Sequence, residues 1–317
     1  MRFFPNADYH FIENRKRAYV ATAVALLIGI GAMIVNLTTI GSWLNYGVDF
    51  TGGTLVEVRF AQPTEAAPVR AAVPEASEVT RFGQDNEYVI RAPLEAGADV
   101  TAVRNRMEEQ LEAAFGAGQF EIVRTELVGP KIGAELQSKA LLAILISFAL
   151  TLIYLAFRFE WRFGVAAVIA TAHDVLITLG ILALFRVEIS VQTVAALLTI
   201  LGYSLNDTIV VFDRIREELG KKGARKIEPI ALMNRAINET LPRTVLTGAS
   251  VLGVLIALIV LGPAVIRTFC LVMLVGVGVG TFSSIFVASP ALYEIQKRWG
   301  TGEEAKAKKR RPEPAAV

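Results

Sequence analysis

Six apolar stretches, each long enough to cross a bilayer, constrain everything else this chain can become. They run over Tyr19–Thr39, Ala140–Phe157, Phe163–Phe185, Ile189–Phe212, Thr244–Leu261 and Thr268–Leu292. A membrane core takes about 20 helical residues, and a span must satisfy its own backbone polar groups, so six transmembrane helices are expected. The 317 residues are 53% hydrophobic, and the mean hydropathy is +0.48. What matters is that this apolar content is bunched into runs, which excludes a soluble enzyme. The first stretch follows Arg15-Lys16-Arg17, as a signal peptide would. It is too long for a signal peptide's apolar region and reads as a retained span. A single cysteine, Cys270, excludes a disulfide framework and a cysteine metal cluster.

Basic residues set the expected orientation. With the N-terminus inside, 21 of the 32 Lys and Arg fall on the inner side. Most of the rest lie in one long outer loop, where charge bias counts least. Both termini are therefore expected in the cytoplasm. The net charge of +2 hides this asymmetry. Residues 1–18 read as a cytoplasmic lead-in, with Phe11-Ile12 as a short interfacial segment. Residues 213–243 read as an inner loop with an amphipathic helix, Pro229–Thr240, and Pro242 then suits the first turn of the fifth span. Residues 293–317 form a basic tail that reads as an inner-leaflet or ribosome-side contact, not a DNA-binding arm.

Between the first two spans lies an outer segment, 40–139, with a core at 54–127. Thr54–Phe60 alternates as a strand and Glu65–Val73 is a short helix. Glu78–Phe82 and Glu87–Arg91 are strands around Gly83-Gln84-Asp85-Asn86. Asp99 can cap a helix with Val103, Met107, Leu111 and Phe115 on one face, and Phe120–Leu127 closes the set. This βαββαβ order predicts a small α+β ferredoxin-like domain. It carries fourteen acidic and eight basic residues from Glu57 to Glu135, with no triad, carboxylate pair or metal-ligand spacing. By elimination it reads as a binding or force-transmitting module.

The polar residues inside the spans are the functional candidates, because an ionisable group in hydrocarbon is costly. Asp207 stands in the fourth span, with Gly202, Ser204 and Asn206 nearby. Helical geometry puts Ser204, Asp207 and Val211 on one face and turns Asn206 away from it. His173-Asp174 lies near the middle of the third span. His173 reads most simply as a neutral, hydrogen-bonded interior histidine, whereas Asp174 has to be neutral, paired or wetted. Arg243 stands at the inner edge of the fifth span, free to snorkel to phosphates or to turn toward a carboxylate. Thr244, Thr247, Gly248 and Ser250 make one side of that span small and polar, for a hydrated path or for close packing. Gly276, Gly278 and Gly280 precede Ser283-Ser284 in the sixth span. Asp213 and Arg214 close the fourth. Just after the first span, Gly47-Val48-Asp49-Phe50-Thr51-Gly52-Gly53 is either a plain hinge or a dedicated coupling element.

Five stretches carry a resemblance: Gly47–Gly53 (GVDFTGG), Val128–Leu136 (VGPKIGAEL), HDVLITLG from His173, GYSLNDTIVVFDRIRE from Gly202, and NRAINETLPRTVLT from Asn234. In this order the chain resembles the SecF family, the smaller subunits of the bacterial SecD/SecF pair that assists protein export through the Sec channel. The resemblance implies a polytopic α-helical membrane protein with six transmembrane helices in an RND-like bundle, and no enzymatic activity. It implies SecD as an obligate partner, the SecYEG channel with YajC and YidC as further partners, and unfolded preprotein as cargo. Nucleic acid, cofactors and metals have no part in it, and the proton is the coupling ion. By matching, Asp207 looks like the intramembrane proton carrier, Arg243 its cationic companion and Asp174 a lesser member of the relay. Ser204, Asn206, Thr247 and His173 support the path. Asp213 and Arg214 belong to the same motif at the inner surface, and Gly47, Asp49, Phe50, Gly52 and Gly53 form the coupling hinge. Two rival readings are a non-conducting subunit that stabilises SecD and the translocon, and an RND-like transporter of small molecules or lipids.

Overall fold

The computed structural model describes residues 7–300 except 75, 77, 82–84, 94–99, 222 and 224–226. Phe82, Gly83, Gln84, the Asp99 cap, Lys222, Arg225, Lys226 and the basic tail beyond Gly300 lie outside the described residues. Among those described, six helical rods are long and apolar enough to cross a membrane. They are α1 (Arg15–Ile40), α5 (Pro130–Arg158), α6 (Trp161–Leu184), α7 (Val191–Gly220), α8 (Pro229–Leu261) and α9 (Arg267–Ser283). The last continues through a wider π-turn, Ser284–Ala288, into α10 (Ser289–Trp299).

The extramembrane segment starts with the single turn α2 (Val48–Thr51) and a four-stranded antiparallel sheet. Its strands are β1 (Gly53–Phe60), β2 (Glu78–Arg81), β3 (Glu87–Pro93) and β4 (Phe120–Val128), in the order β2-β3-β1-β4. The helices α3 (Ala66–Ala72) and α4 (Val100–Phe115) connect them. Strand alternation divides the sheet's faces. Val56, Val58, Phe60, Tyr88 and Ile90 pack with Val69 of α3 and with Met107 and Leu111 of α4. Leu55, Glu57, Thr80, Val89 and Arg91 line a cavity shared with Glu188, Ser190 and Gln192 of the membrane bundle.

Two apolar clusters hold the bundle. One gathers Leu182, Leu197, Ile200, Met273 and Val277 with Phe50, toward the sheet. The other gathers Phe163, Phe212, Ile215, Met233, Ile237 and Leu292 at the opposite end. Helices α6, α7 and α9 form the interior, whereas α1, α5 and most of α8 keep broad apolar faces exposed.

Three features depart from expectation. Pro229–Thr240 and the fifth span form one helix, with Pro242 in its interior. An interior proline costs roughly 3 kcal/mol. The buried face runs through it from Leu232, Met233, Ile237 and Leu241 to Thr244 and Gly248, and that shared packing keeps the rod continuous. The sixth rod likewise runs past Leu292 to Trp299. The lead-in is also no interfacial segment, because Phe11 and Ile12 are buried in the cluster opposite the sheet.

Two asparagines hold the lead-in. Asn238 accepts from the Tyr9 N–H at 3.0 Å and donates to the Tyr9 carbonyl at 2.9 Å. Asn234 accepts from the buried Ile12 N–H at 3.0 Å and donates to Glu13 at 2.7 Å. Asn234→Ala leaves the Ile12 N–H buried without its acceptor, at a cost of about 1–3 kcal/mol. The expected result is a lower unfolding temperature in detergent and faster proteolysis of the N-terminal segment.

Candidate functional site

A polar layer separates the two apolar clusters, and it forms because polar side chains coincide in height on four packed helices. Asp207 on α7 is 7% exposed and Asp174 on α6 is fully buried. Charges so placed need hydrogen-bond donors, and the layer supplies them. Asp207 accepts from Thr244 Oγ1 at 2.8 Å and from Ser284 Oγ at 2.5 Å. Asp174 accepts from Ser283 Oγ at 2.7 Å and from Ser204 Oγ, and its Oδ1 lies 2.8 Å from His173 Nδ1. Adjacent serines near the middle of the sixth rod thus serve carboxylates on two different helices. The π-turn begins at Ser284; such insertions occur often at functional sites. Each serine also has an acceptor on its own helix, Gly280 O for Ser283 and Thr281 O for Ser284. A hydroxyl with two acceptors can donate to an ionised carboxylate, or rotate away and accept from a protonated one. The hydroxyls of Tyr203 and Thr208 are also buried beside this layer and have no hydrogen-bond partner among the described residues.

Arg243 stands one residue before Thr244 and is exposed. No ion pair joins it to Asp207 among the described residues, although its charge acts on that carboxylate through space. Two residues expected in the path lie outside it. Asn206 is exposed on the far side of α7, since one helical step of 100° turns it away from Asp207. Thr247 is exposed, and its hydroxyl donates to Arg243 O and Thr244 O of its own helix. At the end opposite the sheet, Asp213 lies 3.5 Å from Arg158, and Arg214 bridges α7 to Glu239 of α8.

The glycine-rich segment sits against the start of α7. Gly47 N–H donates to Ile189 O at 3.0 Å, and Ile189 N–H donates to Asn45 O at 2.8 Å. The Asp49 carboxylate accepts from the N–H of Val191, the first residue of α7, at 3.0 Å. That is the favourable place for a negative charge on a helix. Phe50 is buried in the cluster nearest the sheet. Gly52 takes φ +79°, and a Cβ on Gly53 would lie 2.5 Å from Ala92 O. One rod therefore carries the contact with the glycine-rich segment at its first residue and Asp207 sixteen residues on, about 24 Å away at 1.5 Å per residue.

The profile of the protein export membrane protein SecD/SecF C-terminal region matches residues 107–298, and that of the SecD/SecF GG motif matches residues 40–64. The protein translocase subunit SecF of Gemmatimonas aurantiaca is 44% identical over 96% of this chain and 92% of its own length. This chain belongs to the SecF family. The SecF subunit of Magnetococcus marinus is 46% identical, over 91% of this chain and 92% of its own. The crystal structure of SecDF from Thermus thermophilus, a translocon-associated membrane protein, superposes with a TM-score of 0.73 at 38% identity. That match covers 92% of this chain and 39% of SecDF, so the SecF-type chain corresponds to about two fifths of the longer protein. The GG-motif match falls on the glycine-rich segment bonded to α7, and the C-terminal match spans all four helices of the polar layer.

Sequence reasoning singled out both aspartates and Ser204 but did not assign Thr244, Ser283 and Ser284 as their donors. The available signal was the Ser-Ser pair in a glycine-rich span. Its meaning depends on the π-turn, which no local pattern announces.

Proposed function

We propose that this chain is the SecF subunit of a SecD–SecF complex that uses the proton-motive force to promote late translocation and release of secretory proteins. The observation that carries this reading is the Asp207 carboxylate, buried in a spanning helix and held by two hydroxyls with no paired cation among the described residues. A site of that kind can take up and release a proton without breaking a salt bridge. Asp174, with His173, Ser204 and Ser283, acts behind it as the second carboxyl of the layer. Arg243 tunes Asp207 by its field.

The basic-residue asymmetry supports both ends in the cytoplasm of a bacterial inner membrane, with the four-stranded domain outside as a ferredoxin-like module. Arg243, Thr247 and Ser250 on α8 and Asn206 on α7 are exposed on spanning helices. Polar groups there are costly against lipid, which supports a SecD bundle covering that side. SecYEG, with YajC and YidC, is the wider assembly, and unfolded preprotein is the cargo. Moving one charge through 100 mV yields about 2.3 kcal/mol. Fully reversing a two-state domain takes about 5.5 kcal/mol, so the cycle uses several protons or a nearly balanced domain.

The test is export of a secretory protein into inverted membrane vesicles containing SecD and this chain, with and without an uncoupler. The reading expects an increment that needs both the chain and the gradient. An increment that survives the uncoupler contradicts it and favours a structural subunit. In the same assay Ser284→Ala, which removes one of Asp207's two donors, is expected to lower the increment several-fold. Thr38→Ala, whose hydroxyl bonds its own helix at Val35 O, leaves it unchanged.

A further inference from the structure

A second group of carboxylates lies where the extramembrane sheet meets the bundle. The loop from Phe185 to Ser190 joins α6 to α7. Its Glu188 lies across Gly47, so closely that a Cβ on Gly47 would come 2.0 Å from Glu188 Oε1. Glu188 and Glu78 on β2 line one cavity between the sheet and the bundle, their carboxyl groups turned to each other closely enough to interact. Glu78 in turn accepts from Arg91 Nη1 of β3 at 2.5 Å and from Thr80 Oγ1 at 2.7 Å. The other charged groups lining this cavity of about 230 Å³ are Asp49 of α2, Glu57 of β1, and Arg124 and Glu126 of β4. Arg124 is paired with Glu126.

Two carboxyl groups share a hydrogen bond only while one of them carries a proton; both ionised, they repel. We propose that Glu188 and Glu78 form a pH-sensitive clasp that holds the extramembrane sheet on the loop leading into α7 when a proton bridges them, and releases it when the proton leaves. Burial and the neighbouring Glu78 carboxylate push Glu188 up to about 7, with Asp49 adding to the effect and Arg91 opposing it. The docked state therefore binds a proton that an undocked Glu188 gives up nearer pH 4.5. Docking is fully favoured at low pH and weakens as pH rises, the loss being complete above about 7. With the domain outside, as proposed above, the gradient that acts on Asp207 also acidifies the clasp. The clasp does not depend on Asp207, so either idea can fail without the other.

The test measures the distance between spin labels at exposed Gln62, beyond β1, and Leu261, at the end of α8. The chain is assembled with its partner in nanodiscs in a Cys270→Ala background. The wild type is expected to show one narrow distance at pH 5 and a broadened or second population at pH 8. The docked-to-undocked ratio should fall on the order of 50- to 100-fold between them. Glu188→Gln, whose amide donates to Glu78 without titrating, should stay narrow at both pH values. Gly47→Ala, which displaces the Glu188 carboxylate without changing any charge, should abolish the pH response. A wild type with the same distances at pH 5 and pH 8, or a Glu188→Gln variant with the full response, overturns the proposal.

Discussion

Replacing Asp207 by asparagine is expected to reduce gradient-dependent export to its no-gradient level while the chain still assembles with its partner. Asparagine matches aspartate in shape. Its amide oxygen can accept from one of Thr244 and Ser284, and its NH2 can donate to the other, because a hydroxyl serves as donor or acceptor. Ser284 can then give its own hydrogen to Thr281 O at 3.1 Å. The layer stays satisfied, so the stability cost is small, and the property lost is the capacity to bind a proton. Asp207→Ala is a poorer probe, since Ser284 falls back on Thr281 O but the buried Thr244 hydroxyl loses its acceptor, at about 1–3 kcal/mol. Co-purification with the partner checks assembly, and vesicle export with and without a gradient checks function. An Asp207→Asn chain that assembles and keeps the increment would make the polar layer architectural.

The second large effect concerns α1, which meets the bundle along a narrow line. Among its described residues only Ala18, Gly29 and Asn36 are buried. A Cβ on Gly29 would lie 2.8 Å from Gly180 Cα on α6, closer than packed atoms come. Backbone lies on both sides of that contact, so no side chain can give way. Gly29→Leu has to push α1 off α6, pulling Asn36 from the Ala183 carbonyl it reaches at 2.9 Å. Overpacking of this kind costs about 1–3 kcal/mol and occasionally more. Gly31, two residues along the same helix, has no atom within 4 Å of its Cβ position. Gly31→Leu is expected to leave stability unchanged or to raise it by the roughly 0.5–1 kcal/mol that a helix gains on losing a glycine. Thermal unfolding in detergent distinguishes the pair, and a similar fall for both would show that α1 is not held by this contact.

What the sequence made legible was whatever depends on long apolar runs or on helical and strand periods. The six spans are of that kind, as is the shared buried face of Ser204 and Asp207. So is the order of elements in the outer segment, where alternation separates Val56 and Val58 from Glu57. What stayed hidden depends on contacts far apart in the chain. Nothing near Pro242 says that α8 runs through it, because the packing that outweighs the proline comes from the other helices of the cluster opposite the sheet. Phe11 and Ile12 look interfacial until Asn234 and Asn238, more than 200 residues later, capture the backbone of Ile12 and of Tyr9. Ser284 looks like helix packing until the π-turn directs it to Asp207. Glu188 is one acidic loop residue among many until Gly47 lets it approach Glu78.

The central claim, that Asp207 is the group which takes up and gives up the proton, is tested most directly by infrared difference spectroscopy. The chain, assembled with its partner in lipid, is taken through a pH step, and the carboxyl stretching bands of wild type, Asp207→Asn and Asp174→Asn are compared. The account predicts a carboxyl band in the wild-type difference spectrum that disappears in Asp207→Asn and survives in Asp174→Asn. A band that persists unchanged in Asp207→Asn would place the titrating group elsewhere and contradict it.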